Sequence, residues 1–151
     1  QKEDLNHPVV VSPDLGSNKM ARRYAEFLQT DLAIVHKHRV HAAKVDSEGL
    51  LGEVSGRDVI LVDDICSTGE TLKKAAKICK RYGAKRIVAL VTHYLLEEEN
   101  SLDGIDKMYV TNSISSGKQQ KSVERVSVAP MLAKAIRGIL SGESITSLCR
   151  L

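Results

Sequence analysis

The chain has 151 residues, 42% of them hydrophobic and 27% charged, enough for one domain with a real core and too few for two. These proportions exclude a disordered, collagen-like or coiled-coil chain, and no apolar run approaches the roughly 20 residues of a membrane span. A net charge of +3 with 3% aromatics and no Trp suits a small anionic ligand and argues against a stacking platform for nucleic acid. In chain order, residues 7–11 (HPVVV) read as a strand that Ser12 and Pro13 end. Met20, Tyr24, Phe27 and Leu28 share one face of a helix from about 19 to 29. Residues 31–35 (DLAIV) form the next strand. Residues 37–56 are polar, hold three glycines and keep no sustained period, so they read as a loop with weak hairpin character. The continuous apolar run 58–62 (DVILV) predicts a strand buried on both faces of a parallel sheet. Leu72, Ala75, Ala76 and Cys79 give a helical stripe, closed by Gly83 after its C-cap. A further buried strand follows at 86–92 (RIVALVT), then a charged surface turn or helix start at 97–100 (EEEN). A shorter strand at 106–111 and a marginal one at 124–128 precede a last helix. Leu132, Ala135, Ile136 and Ile139 are its apolar positions, and Gly142 follows it.

Strands alternating with helices predict an α/β fold, with a mainly parallel twisted sheet flanked by helices. No linker splits the chain, so residues 1–151 are expected to form a single domain. Three cysteines, Cys66, Cys79 and Cys149, are too few and too scattered for a disulfide framework. They favour a reducing cytoplasm. The chain opens at Gln1 rather than Met, as expected of a piece of a longer protein.

In such sheets ligands bind beyond the carboxyl ends of the strands, which directs attention to residues 12–18, 36–39 and 63–71. The strongest signal is VILVDDICSTGETL at 59–72. A buried strand ends in two carboxylates, and a short hydroxyl- and glycine-containing loop then opens a helix. A phosphate placed there meets free N–H groups reinforced by the helix dipole. Ser67, Thr68 and Thr71 can add hydroxyl donors, and Gly69 lets the backbone come close. Asp63 and Asp64 repel a phosphate and suit sugar hydroxyls further along the same ligand. The plainer alternative is a helix capped by Ser67 or Thr68 with a solvated acid pair. Two adjacent carboxylates directly after four apolar residues exceed what capping needs.

This segment resembles the phosphoribosyl-pyrophosphate (PRPP) motif of the type I phosphoribosyltransferase fold, shared by phosphoribosyltransferases and PRPP synthases. The resemblance implies that Asp63 and Asp64 hold the ribose 2- and 3-hydroxyls. It assigns the 5-phosphate to Cys66, Ser67, Thr68, Gly69, Glu70 and Thr71. Other segments, in order, are similar to PRPP synthase. VVVSPDLGSNKMAR at 9–22 resembles its pyrophosphate loop, which here comprises Asp14, Leu15, Gly16 and Ser17. DLAIVHKHR at 31–39 resembles the strand entering its flexible catalytic loop, and LGEVSGRD at 51–58, VTNSI at 110–114, SVAPMLAKAI at 127–136 and GESITSL at 142–148 resemble later segments. The similarity covers the second of that family's two domains, so the N-terminal half is absent.

The family implies PRPP synthesis: the anomeric hydroxyl of ribose 5-phosphate attacks the β-phosphorus of ATP, giving PRPP and AMP. It implies Mg²⁺ as cofactor with Asp14 among its ligands, Lys37 and Arg39 as catalytic cations, and a homo-oligomer. On local pattern alone, Asp14 is equally a Pro-Asp turn, and Lys37 and Arg39 are solvated loop charges. Ser67 stands where most of the family has Asp, Glu70 where Gly or Ala is usual, and Leu15 and Ser17 replace small residues. An acid at 70 weakens phosphate binding unless it points away. His36, His38 and His41 offer a rival metal cluster of zinc or nickel type, though no acid or Cys completes it nearby. Cys66 reads either as an oxidation-sensitive thiol at a helix start or as a small buried filler. Two other functions stay open: a non-catalytic subunit that modulates an active partner, and a phosphoribosyltransferase using PRPP. The latter calls for a base-binding hood, which no segment resembles.

Overall fold

A computed structural model describes residues 3–39, 46–96, 102–115 and 121–148. Seven strands form one sheet: β1 (Val9–Ser12), β2 (Asp31–Arg39), β3 (Asp46–Leu51), β4 (Asp58–Cys66), β5 (Arg86–Tyr94), β6 (Lys107–Thr111) and β7 (Val123–Val126). Their order is β3-β2-β1-β4-β5-β6-β7. Every pairing is parallel except β2 with β3. Helix α1 (Asn18–Leu28) joins β1 to β2, α2 (Glu70–Arg81) joins β4 to β5, and α3 (Ala129–Ser141) follows β7.

Strand alternation divides the core between two faces. Val10, Ile60 and Val62 face α1 through Ala21 and Ala25. Val9, Val11, Val59 and Leu61 face α2 through Leu72, Ala75, Ala76, Ile78 and Cys79. The crossovers through α1 and α2 run in opposite directions from the sheet centre and lie on opposite faces, as right-handed connections require. The strand order therefore reverses between β1 and β4. That switch point opens a crevice at the carboxyl ends of these two strands.

Several expectations are corrected. The stretch expected as a loop with weak hairpin character holds more strand than that: β2 continues to Arg39 and pairs antiparallel with β3, Val35 opposite Leu50 and Arg39 opposite Asp46. β4 extends past Val62 to Cys66 because β5 offers partners as far as Tyr94. The expected last helix is present as α3, and its apolar stripe is open, with Leu132, Ile136 and Ile139 at 50, 58 and 64% exposed. Among the described residues α3 packs closely on no other strand or helix, and its one buried residue is Gly138, which lies against Ile145. Residues 97–100, His41 and Cys149 lie outside the described residues. Among the described residues no helix is long and apolar enough to cross a membrane.

Candidate functional site

The crevice is walled by the turn after β1 and the end of β4. Ser12, fully buried, donates its hydroxyl to the Asp14 carbonyl at 2.6 Å. Asp14 Oδ1 in turn accepts the Ser17 N–H at 2.9 Å. This is the Pro-Asp turn that the local pattern allowed, and it occupies one carboxylate oxygen. Gly16 fits within it because a Cβ there would lie 3.2 Å from Asp14 Oδ1. Ser17 stands at the N-cap of α1 without capping it by its side chain. Its hydroxyl crosses instead to Asp63 Oδ1 at 2.8 Å. The residue that departs from the small-residue pattern thus ties the two walls together.

Asp63 is 8% exposed and also accepts the Asp64 N–H at 3.0 Å. Burial pushes its pKa above the usual aspartate value. The Ser17 hydroxyl and Asp64 amide oppose that shift, and the charges of Asp14 and Asp64 add to it. Three carboxylates thus concentrate negative charge in one corner. Asp64 is exposed beside Asp63.

Beyond Cys66 the chain turns through Ser67 and Thr68, both exposed, to Gly69 at φ +74°. A Cβ at Gly69 would stand at ordinary contact distance, 3.4 Å from Leu102 and 3.5 Å from Leu96, so the left-handed conformation rather than space calls for glycine here. Thr68 Oγ1 accepts the Glu70 N–H at 3.4 Å. The first-turn amides of α2 have no intrahelical acceptor and point outward with the positive end of the helix dipole. Glu70 does not face this cradle as an unpaired acid, because its carboxylate lies 3.5 Å from Lys73 Nζ. Cys66 is 2% exposed, and burial, with the Asp63 charge second, holds its thiol up at about 11. This corrects the low-pKa thiol reading: Cys66 ends a strand and is a buried filler. Its carbonyl accepts the Leu95 N–H at 2.9 Å.

A cavity of about 460 Å³ adjoins this corner on the α2 side of the sheet, lined by the loop 13–16, Val35 and His36 of β2, and Thr71, Lys74 and Ile78 of α2. Asp14, Leu15, Gly16 and Thr71 therefore share one wall system, and Asp63 joins it through Ser17. Lys37 and Arg39 lie on β2 just beyond His36, with Lys37 opposite Glu48 in register. Sequence reasoning missed Lys74. Its signal was present, since Thr71, Lys74 and Ile78 fall at i, i+3 and i+7 beside the buried stripe. The Ser17–Asp63 link left no such signal, because it joins residues 46 apart.

The phosphoribosyl transferase domain family matches residues 1–130. The chain is 41% identical over 156 residues to a ribose-phosphate pyrophosphokinase of Haemophilus influenzae, covering 98% of this chain and 50% of the relative. It is 43% identical over 157 residues to that of Vibrio parahaemolyticus, with the same coverage. The crystal structure of phosphoribosylpyrophosphate synthetase from Mycobacterium smegmatis superposes with a TM-score of 0.78 at 32% identity, covering 90% of this chain and 46% of that one. The chain spans about half the length of the curated relatives it matches. With an α/β sheet whose switch-point crevice carries the acid pair and the hydroxyl- and glycine-containing loop, the chain belongs to the phosphoribosyl transferase domain family.

Proposed function

We propose that this chain carries the ribose-phosphate half of a PRPP-synthesising site, in which pyrophosphate passes from ATP to ribose 5-phosphate to give PRPP and AMP. The observation that carries the reading is the 2.8 Å bond from Ser17 Oγ to Asp63 Oδ1. It sets a sugar-binding acid pair directly against the loop that would receive the transferring diphosphate. In this arrangement the first turn of α2, with Ser67, Thr68 and Thr71, takes the 5-phosphate dianion. Asp63 and Asp64 accept from the ribose hydroxyls, and residues 14–17 approach the anomeric side. Lys37 and Arg39 would enter from β2 as the cations that meet developing phosphoryl charge. Glu70, neutralised by Lys73, leaves the dianion unopposed there. The names of the relatives favour synthesis of PRPP over its use with a base.

The donor set fits Mg²⁺. Asp14 uses one oxygen for Ser17 and keeps the other, and Asp63 sits in a negative field that a cation relieves. Among the described residues no group of three or more His, Cys, Asp or Glu could hold a metal. This suits an ion held by one or two carboxylates together with phosphate oxygens and water. When bound, Mg²⁺ supplies charge neutralisation at the transferring phosphates.

Calorimetry with ribose 5-phosphate tests the assignment. Thr71→Ala and Asp64→Ala should each weaken binding about tenfold, the weight of a hydrogen bond to a charged group. Affinities unchanged in both variants would remove the cradle from consideration.

A further inference from the structure

Resting on the reading above, we propose that Lys74 is a binding residue for the diphosphate end of the ligand, reaching it across the cavity from α2. The loop on the opposite wall has spent part of what it could offer an anion. The Ser17 N–H is spent on Asp14 and the Ser17 hydroxyl on Asp63. The carboxylate that this wall does present, Asp14, repels a diphosphate. A cation facing it across the cavity offsets that repulsion, and the apolar side chains of Val35 and Ile78 in the same wall strengthen the attraction by lowering the local dielectric.

Lys74 is placed for this, and its neighbours are not. It lies one turn beyond Thr71 on the same helix face, with Ile78 a turn further on. Lys74 lines the same cavity as the loop 13–16, so a diphosphate seated at that loop is within the span of a flexible four-carbon ammonium side chain. Lys73 is engaged by Glu70. Lys80 donates to the Lys85 carbonyl and pairs with Asp106. Lys77 is exposed and does not line the cavity. No hydrogen bond or ion pair to another described residue engages the Lys74 ammonium, so it is free to meet an incoming charge.

The test is calorimetry on the 151-residue chain with inorganic pyrophosphate in Mg²⁺ buffer, and separately with ribose 5-phosphate. Lys74→Met should weaken pyrophosphate about tenfold, as loss of a charge-assisted contact does, and should flatten the salt dependence of its binding. Ribose 5-phosphate should stay within about twofold of the parent chain. Lys74→Arg should restore most of the pyrophosphate affinity, and Lys77→Met should behave as the parent chain. A Lys74→Met chain that keeps its pyrophosphate affinity overturns the proposal alone, as does an equal loss for both ligands. A parent chain that binds neither ligand overturns the reading of the site, and this proposal with it.

Discussion

At the scale of single residues, the proposed function makes Asp63 the place where folding and binding oppose each other. Burial raises its pKa above the ordinary value of 3.8, with the charges of Asp14 and Asp64 adding to the effect. Between 3.8 and that raised value the folded chain holds more proton than the unfolded one, so stability falls as pH rises through the window. Above it, the cost of the buried charge is constant. Asp63→Asn removes this cost, and an amide oxygen can still accept from Ser17 and from the Asp64 N–H. The ligand-free D63N chain should therefore melt higher than the parent at pH 7, and the gap should close below pH 3.8. Its ribose 5-phosphate affinity should fall about tenfold or more. A lower melting temperature at pH 7 would show that the charged form of Asp63 is stabilised by its partners. The sequence displayed the acid pair plainly, because two carboxylates interrupt an apolar run. It could not display the raised pKa, which depends on burial in the folded crevice and, after it, on the charge of Asp14 arriving from the far side.

At the scale of elements, what the sequence hid is non-local. The run DVILV stops at Val62, but β4 continues to Cys66 because its ladder partners on β5 continue to Tyr94. An apolar-run criterion cannot detect a strand end that carries Asp63 and Asp64. The β2–β3 pairing showed only as weak hairpin character, since its register appears only when the two segments are laid side by side. The stripe of α3 was legible as a helix, but spacing alone does not say whether a stripe is covered. Two glycines in or next to this hairpin show how packing decides tolerance. At Gly52, φ is +108° and a Cβ would lie 2.7 Å from Ala33 Cβ and 3.0 Å from Ala33 Cα. Backbone there cannot give way. At Gly49 the obstacle is the far end of the His36 ring, 2.8 Å away at Nε2, and a side chain can rotate. Gly52→Ala should destabilise the chain by about 1–3 kcal/mol, read as a lower midpoint in urea. Gly49→Ala should cost less than about 1 kcal/mol. Equal losses in the two variants would contradict this account of the hairpin.

At the scale of the whole molecule, one half-site does not make a catalyst. Pyrophosphoryl transfer needs two substrates held in line and neutralisation of the charge that shifts between them. On the function proposed, the described residues supply a cradle for one phosphorylated sugar at the β1/β4 switch point, with the cavity beside it. The cradle and cavity account for one phosphorylated substrate, and the matched relatives are twice as long. The 151-residue chain should therefore bind ribose 5-phosphate without making PRPP at a significant rate. The same residues within a chain of the relatives' length should release AMP from ATP and ribose 5-phosphate. A coupled assay for AMP on both chains distinguishes the cases. Turnover by the 151-residue chain within about tenfold of ordinary enzyme rates would mean that these residues hold ATP as well. The cavity between the loop 13–16 and α2 would then have to accommodate a nucleotide triphosphate, with Lys74 and His36 in contact with it.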